Sequence, residues 1–254
     1  MEKIFKDRTV IISGGLGDIG RAIAAEFARQ GANIAIGDIL PASDAIGLLT
    51  ELEQFNVRCH YSQVDVADAR MVQSWINKVE EDLNVPDIII PNAAIVTVAG
   101  LYDLTVDEWA RELRINLDGA FYLSRTATAR LLDLQKPGRV VFIGSWAAHT
   151  VHPHIPAYCI SKAGLRMLCK CMALELAPHN ILVNELALGY VDGGLSGRLM
   201  ALDPEKREKA IAKTPVKKLI TVQEVAIQVI HLCHPQNQHI TGSTLLMDGG
   251  LSLL

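Results

Sequence analysis

The feature that most constrains the fold is a regular alternation of short β-branched runs with stretches of helical periodicity. Alternation of this kind is typical of βαβ units, which build a parallel sheet with helices on both faces. No repeat, linker or low-complexity segment interrupts it. The sequence therefore predicts one α/β domain over residues 1–254, with a doubly wound parallel sheet of about seven strands. The runs interpreted as strands are 9–13, 33–37, 60–64, 86–90, 139–144 and 180–187.

Composition limits the kinds of partner. The chain has 254 residues, of which 50% are hydrophobic and 20% charged, and its formal net charge is −4. Without a basic run, nucleic acid and acidic membrane surfaces are disfavoured, and a small-molecule ligand is expected. The longest apolar tract, 88–101, is interrupted by Pro91 and is too short to cross a bilayer. No apolar segment follows the N-terminus, so a cytoplasmic protein is expected.

The five cysteines are odd in number and lack the Cys-x-x-Cys spacing of zinc or redox sites. We interpret all five as reduced core residues. No set of metal ligands is evident, so no metal is expected.

A glycine-rich turn follows the first predicted strand. Ser13 leads into Gly14-Gly15-Leu16-Gly17-Asp18-Ile19-Gly20 and an alanine-rich amphipathic helix. Gly14 can form the tight turn, and Gly20 lets the helix pack on the strand. The free N–H groups at the start of the helix, around Asp18 and Ile19, can then bind a pyrophosphate.

The second predicted strand ends at Asp38, about 20 residues after the glycine turn. A carboxylate there can accept hydrogen bonds from the adenosine ribose and would repel a 2′-phosphate. Neither the glycine turn nor Ile39-Leu40 supplies an Arg or Lys to bind such a phosphate. We therefore expect NAD rather than NADP, although Asp38 could also be an ordinary loop-capping carboxylate.

Tyr158 and Lys162 are four residues apart in a predicted helix, so both project from one face. A cation close to a phenol can lower its pKa by about 1–3 units, which would make Tyr158 a usable proton-transfer group. Ser145 lies thirteen residues upstream of Tyr158, at the carboxyl end of a predicted strand. Ligands of open α/β sheets gather at that edge.

With Ser145, Tyr158, Lys162 and the glycine turn in this order, the chain resembles the short-chain dehydrogenase/reductase family along essentially its whole length. The resemblance implies a Rossmann-type fold and a homotetramer. It also implies that Asn116 completes the catalytic set by holding a water in a proton relay. The cofactor residues it implies are Ser13, Gly14, Asp18, Ile19, Gly20, Asp38, Asp65, Val66, Asn92, Ala93, Tyr158, Lys162, Gly189 and Val191. An alternative for Asp65 is that it caps the helix starting near Asp68.

The chain departs from the family pattern at four positions. Asp18 replaces the middle glycine of the turn, and Ala94 replaces the glycine of Asn-Ala-Gly. Leu188 and Gly193 replace the proline and threonine of the motif that fixes the nicotinamide carboxamide. Asp18 could serve as a helix N-cap pointing away from the phosphates.

The resemblance implies hydride transfer between nicotinamide and a secondary alcohol or ketone. Residues 190–215, here called the lid segment, are predicted to cover the substrate because Gly193-Gly194 can act as a hinge; a plain surface helix is the alternative. Candidate substrate residues are Trp146, His149, His152, His154 and Tyr190, which favour a polyol, sugar or hydroxy acid. Two alternatives are a 3-oxoacyl thioester reductase and a nicotinamide-binding sensor or scaffold without turnover.

Overall fold

A computed structural model describes residues 3–254. Seven parallel strands form one sheet in the order β3-β2-β1-β4-β5-β6-β7, which confirms the predicted parallel sheet of about seven strands. The order reverses between β1 and β4, and ligands of such sheets bind at this switch point. The strands are β1 (Thr9–Ser13), β2 (Asn33–Asp38), β3 (Cys59–Gln63), β4 (Ile88–Ile90), β5 (Gly138–Ser145), β6 (Ile181–Leu188) and β7 (Thr244–Met247).

Nine α-helices lie in the described part of the chain and cover both faces of the sheet. Their bounds are α1 (Asp18–Arg29), α2 (Ile46–Glu53), α3 (Ala69–Asp82), α4 (Val106–Leu113), α5 (Gly119–Asp133), α6 (Pro156–Leu176), α7 (Gly194–Ala201), α8 (Pro204–Lys213) and α9 (Val222–Cys233).

Alternate residues of each central strand enter two separate cores, as the two-residue period of a strand requires. Ile12 and Ile143 pack beneath α1 and α9, whereas Ile11 and Phe142 pack beneath α3, α5 and α6. Burial on both faces explains why the strand sequences are continuous apolar runs rather than alternating ones.

Two details differ from the sequence expectations. The helix predicted from Val106 to Leu134 contains a π-helical turn, Arg114–Asp118, between α4 and α5. The cysteines are free, but only Cys169 and Cys233 are buried, and Cys171 is exposed on α6. Among residues 3–254, no helix combines the length and the apolarity needed to span a membrane.

Candidate active site

One large cavity, of about 700 Å³, opens at the carboxyl edge of the sheet. This is within the usual size range of cofactor and ligand sites. Most of the predicted site residues line it. They are Gly14, Asp18, Ile19, Gly20, Asp38, Asp65, Val66, Asn92, Ala93, Ser145, Trp146, His152, Tyr158, Lys162, Gly189, Tyr190 and Val191. Ser13, Asn116, His149 and His154 are not among the lining residues.

The glycine turn has the backbone shape that the spacing predicts. Gly14 has φ +63°, and a Cβ there would lie 2.8 Å from the Ala93 Cα. A Cβ on Gly20 would lie 2.5 Å from the Gly14 carbonyl oxygen, so the start of α1 packs directly on the turn. Gly17 is the N-cap of α1 and offers no side-chain acceptor. The first N–H groups of α1 therefore remain available to an anion, which fits the pyrophosphate of a dinucleotide.

Ser13 holds two strands together rather than facing the cavity. Its hydroxyl accepts hydrogen bonds from the backbone N–H groups of Asn92 (3.1 Å) and Ala93 (3.2 Å). The Asn92 amide donates in return to the carbonyl oxygens of Ser13 and Gly14, each at 3.0 Å. These hydrogen bonds fix the glycine turn against the segment after β4, and cofactor contact by Ser13 stays a prediction.

Two carboxylates lie at the adenosine end of the cavity. Asp38 accepts from the backbone N–H of Leu16 (3.0 Å) and of Leu40 (3.3 Å), so it is held at the end of β2 beside the glycine turn. Asp65 accepts from the Ala67 N–H at 2.9 Å. The cap of α3 is Asp68, which accepts from the N–H groups of Arg70 and Met71. Asp65 therefore remains at the cavity and does not cap the helix.

Asp18 is the first residue of α1 and not its N-cap. Its carboxylate accepts a hydrogen bond from the Gly194 N–H at 2.8 Å, across 176 positions of sequence. A Cβ on Gly193 would lie 3.3 Å from the Asp18 Cβ and 2.8 Å from Val222 Cγ1. Two of the departures from the family pattern, Asp18 and Gly193, therefore lie in contact: the aspartate fills space that a side chain at position 193 would need.

The lid segment is tied to the sheet before it becomes helical. Gly189 donates to the Met247 carbonyl at 2.8 Å, and a Cβ on it would lie 2.7 Å from the Asp248 Cα. Val191 forms a parallel bridge with Ile220. These backbone contacts fix the cavity wall at Gly189 and Val191 although Leu188 stands where the family has proline.

The catalytic candidates converge from one strand and one helix. Ser145 ends β5 and is 7% exposed, and its hydroxyl accepts from the Ala147 N–H at 3.1 Å. Lys162 is 3% exposed and donates to the Ile143 carbonyl at 2.8 Å. Its ammonium lies 5.6 Å from the centre of the Tyr158 ring. The three side chains therefore share one wall of the cavity.

The expectation that Lys162 lowers the pKa of Tyr158 is wrong for this structure. Burial raises the pKa of Tyr158 to about 12, although the neighbouring Ser145 hydroxyl acts in the opposite direction. Burial also lowers the pKa of Lys162 to about 8, against the attraction of Glu185 and Glu112. Desolvation disfavours the charged form of both groups. With a pKa raised to about 12, the phenol keeps its proton at neutral pH.

Asn116 sits in the π-helical turn, and π-turns frequently mark functional positions. Its side chain accepts from the Ile95 N–H (2.8 Å) and donates to the Ile95 carbonyl (2.9 Å) and the Ser161 hydroxyl (3.1 Å). Asn116 is 1% exposed. Its side chain therefore connects the segment after β4 to α6, which carries Tyr158 and Lys162.

The predicted substrate residues separate into two groups. Trp146 lies between His152 and Tyr190, with ring centres 4.1 Å and 5.4 Å away, and all three line the cavity. His149 is exposed and lies outside the lining. His154 is also exposed, has φ +64°, and accepts the Ala99 N–H through its carbonyl. The loop after the short helical turn at 146–148 therefore places His152 at the cavity, whereas His149 and His154 lie outside its lining.

Sequence reasoning missed several functional candidates. Glu112 is fully buried and accepts from the Thr97 N–H at 2.8 Å. Burial raises its pKa, and its charge acts on both Tyr158 and Lys162. From the lid segment, α8 contributes Lys213 to the cavity wall. The spacing of Lys206, Lys209 and Lys213 could have indicated this face, because residues three and four apart adjoin on a helix.

An open parallel sheet with this glycine turn and a Ser, Tyr and Lys wall defines the class of nicotinamide-dependent dehydrogenases. A family model described as enoyl-(acyl carrier protein) reductase matches residues 15–252. The chain is 29% identical over 249 residues to L-rhamnose 1-dehydrogenase (NAD(P)(+)) from a Sphingomonas species, and the match covers 98% of each protein.

Solved structures agree with that match. A short-chain type dehydrogenase/reductase from Mycobacterium marinum has a TM-score of 0.93 and 25% identity, covering 99% of this chain and 98% of that one. An NAD⁺-bound xylitol dehydrogenase has a TM-score of 0.91 and 26% identity, covering 97% and 99%. The chain belongs to the short-chain dehydrogenase/reductase family. It is an oxidoreductase that acts on CH–OH groups.

Proposed function

We propose that this enzyme interconverts a small polar secondary alcohol and its ketone with NAD(H), and that Ser145, Tyr158 and Lys162 perform the chemistry. The observation that carries the proposal is that all three line the same cavity as the glycine turn. The named relatives act on a sugar and a polyol, which supports a polar substrate.

Each residue has a distinct role in this proposal. The Ser145 hydroxyl donates to the substrate oxygen. Tyr158 delivers a proton to that oxygen during ketone reduction and accepts it during alcohol oxidation. Lys162 holds a positive charge beside the phenol and can bind the nicotinamide ribose, while Asn116 positions α6 and the proton relay. The nicotinamide supplies the hydride donor or acceptor.

The raised pKa of Tyr158 affects which direction of the reaction is favoured at a given pH. Because the phenol keeps its proton at neutral pH, the site is poised to protonate a ketone oxygen. Oxidation requires the phenolate, and its population grows with pH below the pKa. We therefore expect reduction to be favoured at neutral pH and oxidation at alkaline pH.

Asp38 supports NAD as the preferred cofactor. Its carboxylate is fixed by two backbone N–H groups at the end of β2, where the adenosine ribose would lie. Neighbouring Ile39 and Leu40 line the cavity and carry no charge. A 2′-phosphate would therefore meet a negative charge without a compensating cation.

A homotetramer remains part of the proposal. Ile160, Met167 and Leu174 are 48%, 57% and 81% exposed, seven residues apart along α6. This spacing forms an apolar stripe suited to a helix of a second copy. Sedimentation velocity is expected to show an assembly larger than a monomer, and a monomer at micromolar concentration would contradict it.

A 3-oxoacyl thioester is the second candidate substrate, favoured by the acyl carrier description of the matching family model. Activity assays with NAD(H) and NADP(H) on sugars, polyols, hydroxy acids and acetoacetyl-coenzyme A distinguish the two candidate substrates. Turnover of polar alcohols with NAD is expected. Faster reduction of the thioester would favour the second candidate. Tight cofactor binding with no turnover of any of these compounds would contradict both.

A further inference from the structure

In the lid segment, most of the basic residues line the cavity and the acidic residues do not. All four of its cavity-lining charged residues are basic, and its acidic residues Asp192, Asp203, Glu205 and Glu208 lie outside the lining. The acidic residues of the cavity, Asp18, Asp38 and Asp65, belong to the glycine turn and to the ends of β2 and β3. The substrate side of the cavity is therefore positively charged. The four basic residues are Arg198, Lys206, Lys209 and Lys213.

Lys213 differs from its neighbours on α8. Lys206 lies 3.7 Å from a carboxylate oxygen of Asp203, and Lys209 lies 3.0 Å from one of Glu205. Among residues 3–254, Lys213 has no carboxylate partner within 4.0 Å. Its ammonium instead lies 5.5 Å from the centre of the Trp146 ring, the residue after Ser145. An uncompensated cation thus stands beside the catalytic wall.

His152 supplies a second unused group at the same place. Its ring packs edge-on against Trp146, and its Nε2 is buried without a hydrogen-bond partner in the described chain. Burial, and then the charge of Lys213, hold the pKa of His152 below its usual value. The imidazole is therefore neutral at pH 7 and can offer one N–H. Because Nε2 is buried, the imidazole forms an uncharged wall beside Lys213 and adds no charge that competes for a ligand.

We propose that the substrate carries a carboxylate, which pairs with the Lys213 ammonium beside Trp146 and His152. The carbinol or ketone carbon then lies at Ser145 and Tyr158, so the substrate is a hydroxy acid or its keto acid. The lysine beside Trp146 supplies one positive charge, which a single carboxylate matches. This inference rests on the proposed function and narrows its substrate class.

The test compares matched pairs in which one terminal group is a carboxylate in one member and is uncharged in the other. D-Gluconate is paired with D-sorbitol, and short-chain hydroxy acids are paired with their methyl esters, each with NAD and with NADP. Enzyme loaded with NADH is titrated with the same compounds by cofactor fluorescence. The acid of each pair is expected to bind and react at least about tenfold better than its neutral partner.

Variants at Lys213 test whether this residue causes the preference for the acid. Lys213→Met is expected to raise the KM for the acid by about tenfold and to leave kcat and the neutral partner nearly unchanged. Lys213→Arg should restore the acid preference, because it keeps the charge. Lys218→Met is the matched control, since that side chain is 70% exposed and lies outside the cavity.

The possible failures are distinguishable. Equal or better use of the neutral partners would overturn the carboxylate inference and leave the dehydrogenase proposal standing. An acid preference that survives Lys213→Met would overturn the assignment to Lys213. Cofactor binding without turnover of any pair would overturn the proposed function, and this inference with it.

Discussion

Replacing Asp18 by alanine is expected to loosen the lid segment without weakening cofactor binding. The Asp18 carboxylate accepts the Gly194 N–H at 2.8 Å, at the point where α7 begins. A hydrogen bond to a charged group contributes about 1.5–3 kcal/mol. Asp18 is exposed, so the lower end of this range applies. About 1.4 kcal/mol is a tenfold change in the equilibrium between the lid segment bound to Asp18 and the segment released from it.

Because α7 and α8 form much of the substrate wall, the KM for substrate should rise by about tenfold while kcat changes little. The Kd for NADH should stay the same or fall, since the variant removes a negative charge near the pyrophosphate. Hydrogen exchange followed by mass spectrometry is expected to show faster exchange in residues 193–213 only.

Asp18→Asn is the matched control for this experiment. It removes the charge but keeps an oxygen that can accept from Gly194, so its effects should be intermediate. If Asp18→Ala leaves both the exchange of residues 193–213 and the substrate KM unchanged, the carboxylate does not hold the lid segment and the reasoning is refuted.

Three further predictions concern cofactor choice, pH and packing. Asp38→Ser should raise the ratio of kcat/KM for NADP to that for NAD by at least about tenfold; an unchanged ratio in steady-state assays would contradict the role of this carboxylate. Tyr158 is protonated below a pKa of about 12, and oxidation needs the phenolate. The value of kcat/KM for oxidation should therefore rise by up to about tenfold per pH unit between about pH 7 and pH 9. A flat pH profile would argue against a phenolate base. Gly144→Ala places a Cβ 2.0 Å from a carboxylate oxygen of Glu185, which is buried and ion-paired with Arg166. Urea unfolding should show a loss of about 1–3 kcal/mol, and wild-type stability would contradict the close packing.

The sequence predicted the parallel sheet well because buried strands leave a strong signal. The six runs taken as strands correspond to β1–β6, with ends that differ by at most two residues. Helix ends were harder to place. Asp203-Pro204 is a recognisable helix start, yet the lid segment was treated as one helix, whereas α7 and α8 are separate.

The site was predictable as a set of residues but not in its energetics. Spacing alone puts Tyr158 and Lys162 on one face of α6. Burial in the folded chain, with the charge of Glu112, raises the pKa of Tyr158 where the spacing predicted a lowered one. A local pattern reports which groups are neighbours, whereas desolvation is a property of the whole fold.

Contacts between distant segments were also beyond sequence reasoning. Asp18 and Gly193 each departed from the family pattern, but nothing in the chain indicated that they touch. The same holds for Ser13, whose hydroxyl bonds to the backbone after β4 instead of facing the cavity. Pairings of this kind are set by the sheet order, which brings β1 beside β4.

The most direct test of the whole account is the turnover of Tyr158→Phe, measured beside its affinity for NADH. Phenylalanine keeps the ring against Lys162 but removes the only proton that the proposed mechanism transfers to the substrate oxygen. The account predicts that kcat falls by at least about a hundredfold while the Kd for NADH changes by less than about threefold. Turnover within a few-fold of wild type would contradict it.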